Sequence, residues 1–195
     1  MDDFYKNRYN FYRYSYWDSQ QNDLLKPNGF TQYPHKEYDY FVNVIDSLNN
    51  KVECRIMDIC CGNGLLLRHL TECCHSQIIP FGIDFLELSI EQAVRTIHPN
   101  YSQNFFLSNA IDFDFTQSVF DFVLLDPYHF IDNDLVKLLQ ILIKRTTNSI
   151  IFYTYTDVLT YNDLRSVAEF SALKNVNDLK MFNYNEVSIA VLCVT

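Results

Sequence analysis

Residues Asp58-Ile59-Cys60-Cys61-Gly62-Asn63-Gly64 carry two of the chain's four glycines within three positions. An acidic residue at a strand end, a glycine turn and a following apolar helix bring backbone N–H groups and a small-residue gap together. A nucleotide-like ligand can approach closely there. A second acid, Asp84, closes the next apolar run 20 positions after Gly64, where a carboxylate can accept from both hydroxyls of a ribose. A dinucleotide would need a third small residue three positions on from Gly64, so that helix and strand pack beside a pyrophosphate. That position is Leu67, so the ligand chemistry indicated is a nucleoside without a pyrophosphate.

The same stretch holds the pair Cys60-Cys61, with Cys73-Cys74-His75 further on. About nine helical residues between the pairs would set them more than about 13 Å apart, beyond the reach of one zinc ion with Zn–S bonds near 2.3 Å. No metal site is expected, and packing is the expected role of the thiols.

These groups must be positioned by an alternation of strand-length apolar runs and helical segments beginning near residue 52, the pattern of a parallel α/β sheet. Strands are expected at 54–59, 78–84, 104–107, 120–125 and 149–154, and helices at 65–73, 87–97, 132–145 and 159–173. The last helix but one places Leu135, Leu138, Leu139 and Leu142 on one face. A final pair, 179–184 and 187–194, is joined by a turn at Asn185-Glu186 too short for a crossover, so it should form an antiparallel hairpin at the sheet edge. The expected fold is thus α/β and Rossmann-like, with a seven-stranded, mostly parallel sheet.

Residues 1–51 fall outside the alternation and form an N-terminal extension, with 52–195 as the main domain. The extension holds 13 aromatics in its first 41 residues, among them Phe4, Tyr5, Tyr9, Phe11, Tyr12, Tyr14, Tyr16 and Trp17. Such rings can hold a flat or cationic ligand through their faces, pack the extension onto the sheet, or mediate a homodimer contact. His35 is a further candidate pocket residue if the extension folds over the site.

At 195 residues and 48% apolar composition the chain can bury one sizeable core. A net charge of −9 opposes a broad basic surface for nucleic acid. Adjacent cysteines are poor geometry for an internal disulfide framework, and the sequence shows neither an export signal nor an apolar run of spanning length. A cytoplasmic, reducing setting is expected.

The segment 55–64, Arg-Ile-Met-Asp-Ile-Cys-Cys-Gly-Asn-Gly, resembles the first motif of the class I S-adenosylmethionine-dependent methyltransferases, and 81–93 resembles their second. Residues 104–115 and 120–130 stand where the third and fourth motifs are expected. The resemblance implies that Asp58 faces the methionine amino group and that the backbone of Cys60, Cys61, Gly62, Asn63 and Gly64 wraps the carboxylate and ribose. It implies ribose contacts at Asp84, adenine flanked by Phe85 and Leu86, and the adenine amino group read by Asn109 beside the Ala110 N–H. Cys60 replaces the family's first glycine, which is tolerable if its φ stays negative, and Asn109 replaces an acid.

Asp126-Pro127-Tyr128-His129-Phe130 is similar to the Asp/Asn-Pro-Pro-aromatic loop of amino-group methyltransferases, with the second proline missing and the ring one position early. The resemblance implies that Asp126 contacts the acceptor amine and Tyr128 stacks on it, while His129 has the ordinary pKa of a general base. The activity implied is methyl transfer to a small molecule, to nitrogen rather than oxygen, with the extension as a lid over the acceptor. The alternatives are exocyclic-amine methylation of RNA or DNA and a non-catalytic binding subunit that keeps the fold.

Overall fold

A computed structural model describes residues 3–20, 36–154, 179–183 and 187–194. Strands β1 (Glu53–Ile59), β2 (Gln77–Asp84), β3 (Phe105–Leu107), β4 (Phe120–Leu125), β5 (Thr146–Thr154), β6 (Leu179–Asn183) and β7 (Ser188–Cys193) form one sheet in the order β3-β2-β1-β4-β5-β7-β6. The first five run parallel, and β7 pairs antiparallel with both β5 and β6. The helices are α1 (Asp3–Gln20), α2 (Tyr38–Leu48), α3 (Leu65–Cys73), α4 (Glu87–Thr96) and α5 (Asp132–Leu142). The expected helix at 159–173 and the turn at 185–186 lie outside the described residues.

Strand alternation divides the apolar residues between two cores. Ile56, Phe122, Leu124, Ile151 and Tyr153 face a cluster that takes in Leu67 and Leu70 of α3, Ile90 and Ala93 of α4, and Phe41, Val44 and Ile45 of α2. Met57, Ile59, Val123, Leu125, Ile150 and Phe152 face the opposite cluster, filled by Leu135, Leu138, Leu139 and Leu142 of α5. Sequence reading placed no element at α2, yet its Phe41 and Ile45 are fully buried. The core therefore runs across the expected division at residue 51.

Because β1 and β4 are neighbours while the chain winds outward from each, the carboxyl ends of β2, β1 and β4 surround the point where the winding reverses. A crevice forms at such points in open α/β sheets. The parallel register sets Asp58 of β1 beside Gly82 and Leu124, close to the tips of those three strands.

Candidate functional site

The glycine loop leaves β1 through Cys60 with a φ of +65°, followed by Gly62 at +54° and Gly64 at +73°. The condition set for a cysteine at this position, a negative φ, is therefore not met. Left-handed backbone costs a residue with a Cβ about 1–2 kcal/mol, so the loop is held here by its surroundings. Cys61 N–H donates to the Ile83 carbonyl at 3.0 Å, and Gly64 N–H to the Cys61 carbonyl at 3.0 Å. Two glycines make the close approaches possible. A Cβ on Gly64 would lie 3.0 Å from Ala93 Cβ, and one on Gly82 would lie 2.7 Å from both Cys61 Sγ and the Phe105 ring. Gly82 thus lets the loop's own cysteine seat beside β3.

Asp84 ties this loop to the next. Its Oδ2 accepts from Gly62 N–H at 2.9 Å and its Oδ1 from Leu86 N–H at 2.8 Å. Burial pushes its carboxyl up to about 6 against the pull of those two N–H donors. Asp58 is driven well above the usual carboxylate range, chiefly by burial and then by the charges of Asp84 and Asp126, while the Tyr153 hydroxyl donates to its Oδ1 at 3.4 Å and opposes the shift. Burial and the same three acids also push the Cys60 thiol up, so it is protonated and a poor nucleophile.

The loop after β4 makes a single 3₁₀ turn, Pro127–His129, capped by Asp126 Oδ1 accepting from Tyr128 N–H at 3.0 Å. Burial raises Asp126 to about 7, while the neighbouring Arg8 guanidinium pulls it down. Burial and, after it, Arg8 lower His129 to about 4. His129 Nε2 stands 3.5 Å from Asp126 Oδ2. Shifts in these directions describe a neutral imidazole beside a carboxyl that resists ionisation, not an ion pair.

Helix α1 crosses these loops on one face, through Tyr5, Arg8 and Tyr9 at i, i+3 and i+4. The Tyr5 hydroxyl donates to Asp134 Oδ2 at 2.9 Å, at the start of α5. Arg8 Nη2 donates to the Tyr128 carbonyl at 3.0 Å, and the guanidinium lies 3.9 Å from the Tyr128 ring centre and 5.2 Å from that of Phe4. The Tyr9 and Phe85 rings are 5.8 Å apart. His35 and the rings of Tyr12, Tyr14, Tyr16 and Trp17 lie outside what is described.

Between α1 and the strand tips is a cleft open to solvent. Of the residues singled out in the sequence, Cys60, Asp84, Phe85, Asn109, Ala110 and His129 line it. Asp58, Gly62, Asn63, Gly64 and Leu86 stand behind that wall. So does Asp126, which braces the 3₁₀ turn, and the Tyr128 ring packs under Arg8. Tyr5, one of the rings noted in the extension, lines the cleft too, and Arg8, Ser108 and Phe130 line it and were given no role from the sequence. Phe130 had a signal in the sequence, since the loop's second aromatic falls two positions after Tyr128.

The donor set fits S-adenosylmethionine. Asp84 lines the cleft with a buried carboxyl that burial pushes up to about 6, and Phe85 and Ala110 line it with apolar surface. Asn109 Oδ1 already accepts from Ile111 N–H at 3.1 Å, and a carbonyl oxygen has a second lone pair for an adenine amino group.

Residues 56–147 match the family described as a methyltransferase domain. No functionally curated protein matches the sequence. Among solved structures the chain is similar to the magnesium protoporphyrin IX methyltransferase ChlM from Synechocystis PCC 6803 with bound S-adenosylmethionine, at a TM-score of 0.66, 13% identity and 98% coverage of both chains. It is also similar to the plantazolicin methyltransferase BpumL, solved with a pentazolic desmethylPZN analog and S-adenosylhomocysteine, at 0.58 and 12%, covering 99% of this chain and 97% of that one. An RNA methyltransferase from Salinibacter ruber follows at 0.54 and 10%, covering 84% and 94%. At these identities the likeness shows a shared fold.

Proposed function

We propose that this chain is a class I S-adenosylmethionine-dependent methyltransferase whose acceptor is a small molecule methylated on nitrogen in a cleft roofed by α1, a reading supported by the methyltransferase-domain match over residues 56–147. The observation that carries the small-molecule reading is the seating of Tyr5, Arg8 and Tyr9 against the first turn of α5, the turn after β4 and the loop after β2, around one cleft. A roof of that kind admits a compact acceptor and hinders a polymer. The net charge of −9 works in the same direction.

S-adenosylmethionine supplies an electrophilic methyl group on a sulfonium. In this reading Asp84 takes the ribose hydroxyls, Phe85 and Leu86 flank the adenine, Asn109 and Ala110 read its edge, and Asp58 with the backbone of 60–64 holds the methionine end. The chain's own task is then alignment and removal of a proton. His129, held neutral because burial lowers its pKa, lines the cleft and is the side chain placed to take a proton from an attacking amine. Asp126 holds the 3₁₀ turn through Tyr128 N–H and keeps the imidazole in place. Phe130, not Tyr128, presents the aromatic wall to the acceptor. The six free thiols suit a reducing compartment such as the cytoplasm, and among the described residues no helix is long and apolar enough to cross a membrane.

The test is to incubate the protein with methyl-labelled S-adenosylmethionine and either a fractionated metabolite extract or total RNA. Label is expected in the small-molecule fraction, as an alkali-stable N-methyl product. Label confined to RNA would transfer the reading to exocyclic amines of nucleic acid. Tight binding of S-adenosylmethionine with no label anywhere would favour a binding subunit.

A further inference from the structure

We propose that Arg8 reads an anionic group on the methyl acceptor, so that the acceptor class is an amine or N–H heterocycle that also carries an ionised carboxylate or phosphate. This rests on the methyl-transfer reading above and deepens it.

Placement comes first. Arg8 lines the cleft together with His129 and Phe130, and it donates to the backbone of the very turn that braces His129. Among the described residues lining the cleft it is the one cation. Its field reaches the site, since it acts on Asp126, His129 and Cys60.

Geometry then specifies what it can bind. One face of the guanidinium is taken by the Tyr128 ring at 3.9 Å, and the Phe4 ring lies 5.2 Å away. Ring contacts on the face direct a ligand to the edge of the plane, where the N–H donors lie, with Nη2 also serving the Tyr128 carbonyl. That edge matches the paired oxygens of a carboxylate or phosphate. The same stacking removes the expected use of Tyr128, because a cationic acceptor seeking its ring would meet a guanidinium already there. Asp126, the acid that feels Arg8, is engaged by Tyr128 N–H. Asp58 and Asp84 stand at the tips of β1 and β2, where the cofactor is assigned, and Asp126 is held behind the turn. An acceptor with a negative group is therefore attracted to the Arg8 end, and a doubly cationic one is repelled by both Arg8 and the sulfonium.

The experiment uses the full chain. S-adenosylmethionine binding is first measured by calorimetry, and a failure there overturns the methyl-transfer reading itself. A binding-competent sample is then offered several hundred small planar amines in matched neutral, cationic, carboxylate and phosphate forms, scored by S-adenosylhomocysteine release. Turnover is expected in the carboxylate or phosphate arm, and which arm responds identifies the source of the negative group. Arg8→Gln should lower kcat/KM for those acceptors by about tenfold or more, mainly through KM, without weakening S-adenosylmethionine binding. Arg8→Lys, which keeps the charge and loses the fork, should restore part of the loss. Turnover confined to neutral or cationic members overturns the proposal. So does the absence of any anionic substrate, or an unchanged KM in Arg8→Gln.

Discussion

Asp84→Asn separates what this residue does for the fold from what it does for the ligand. In the folded protein the carboxyl is pushed from 3.8 to about 6, so keeping it ionised at neutral pH costs about 3 kcal/mol. The amide removes that cost. It also puts an NH₂ against one of two backbone N–H donors, Gly62 or Leu86, leaving a buried donor unmet at about 1–3 kcal/mol. These effects oppose each other, so the ligand-free stability should move by less than about 2 kcal/mol. Binding has no such offset, because the ribose diol loses both the charge and one acceptor. About 2–4 kcal/mol is then lost, a weakening of roughly 30- to 1000-fold for S-adenosylmethionine and its demethylated product alike. Calorimetric titration reads the affinity and urea denaturation the stability. Wild-type affinity in a variant that folds would refute the assignment of Asp84 to the ribose.

Gly82→Ala should destabilise the chain by about 1–3 kcal/mol in urea denaturation, because its Cβ would fall 2.7 Å from Cys61 Sγ and the Phe105 ring; a neutral result would mean that β3 can shift. Cys60→Gly should relieve left-handed strain of about 1–2 kcal/mol and lose part of that through the thiol's own packing, so the midpoint should rise slightly. A clear fall would show that the thiol matters more than the backbone.

The order of elements from β1 to β5 was legible because strands buried on two faces read as continuous apolar runs, while α5 repeats its leucines at helical spacing. The glycine loop and Asp84 were legible as a pair for the same reason: each marks the end of such a run. The backbone angle of Cys60 could not be read from residue type, because the loop's path, set by Cys61 N–H on Ile83 and by the gap at Gly82, holds it in the left-handed region. Helix α2 had a readable stripe in Tyr38, Phe41, Ile45 and Leu48, hidden by the aromatic background before it. In α1 the rings occur on every side, so no periodicity could single out Tyr5, Arg8 and Tyr9. Which face docks was decided by tertiary partners far away in sequence, Phe85, Tyr128 and Asp134. That Phe130 and not Tyr128 lines the cleft was hidden because a ring's exposure there depends on what else stacks upon it, here Arg8 on Tyr128.

Asp58, Asp84 and Asp126 sit at or just past the ends of three adjacent strands, and all three carboxyls are raised, chiefly by burial. A carboxyl whose folded pKa exceeds its unfolded one binds protons more readily when folded, so it lowers stability as pH rises from the unfolded to the folded value. For Asp84 and Asp126 that window runs from about 4 to about 7, and the ligand-free protein should lose stability across it. A bound sulfonium would bring positive charge to the same cluster and pull those pKa values back down, removing part of the loss. The shift in thermal midpoint on adding saturating S-adenosylmethionine should therefore be larger at pH 7.5 than at pH 5. S-adenosylhomocysteine, with a neutral sulfur, should show a smaller increase between the two pH values. Equal midpoint shifts for both ligands at both pH values would mean that the acids do not sense the sulfur's charge, and the discrimination between donor and product would then have to come from shape alone.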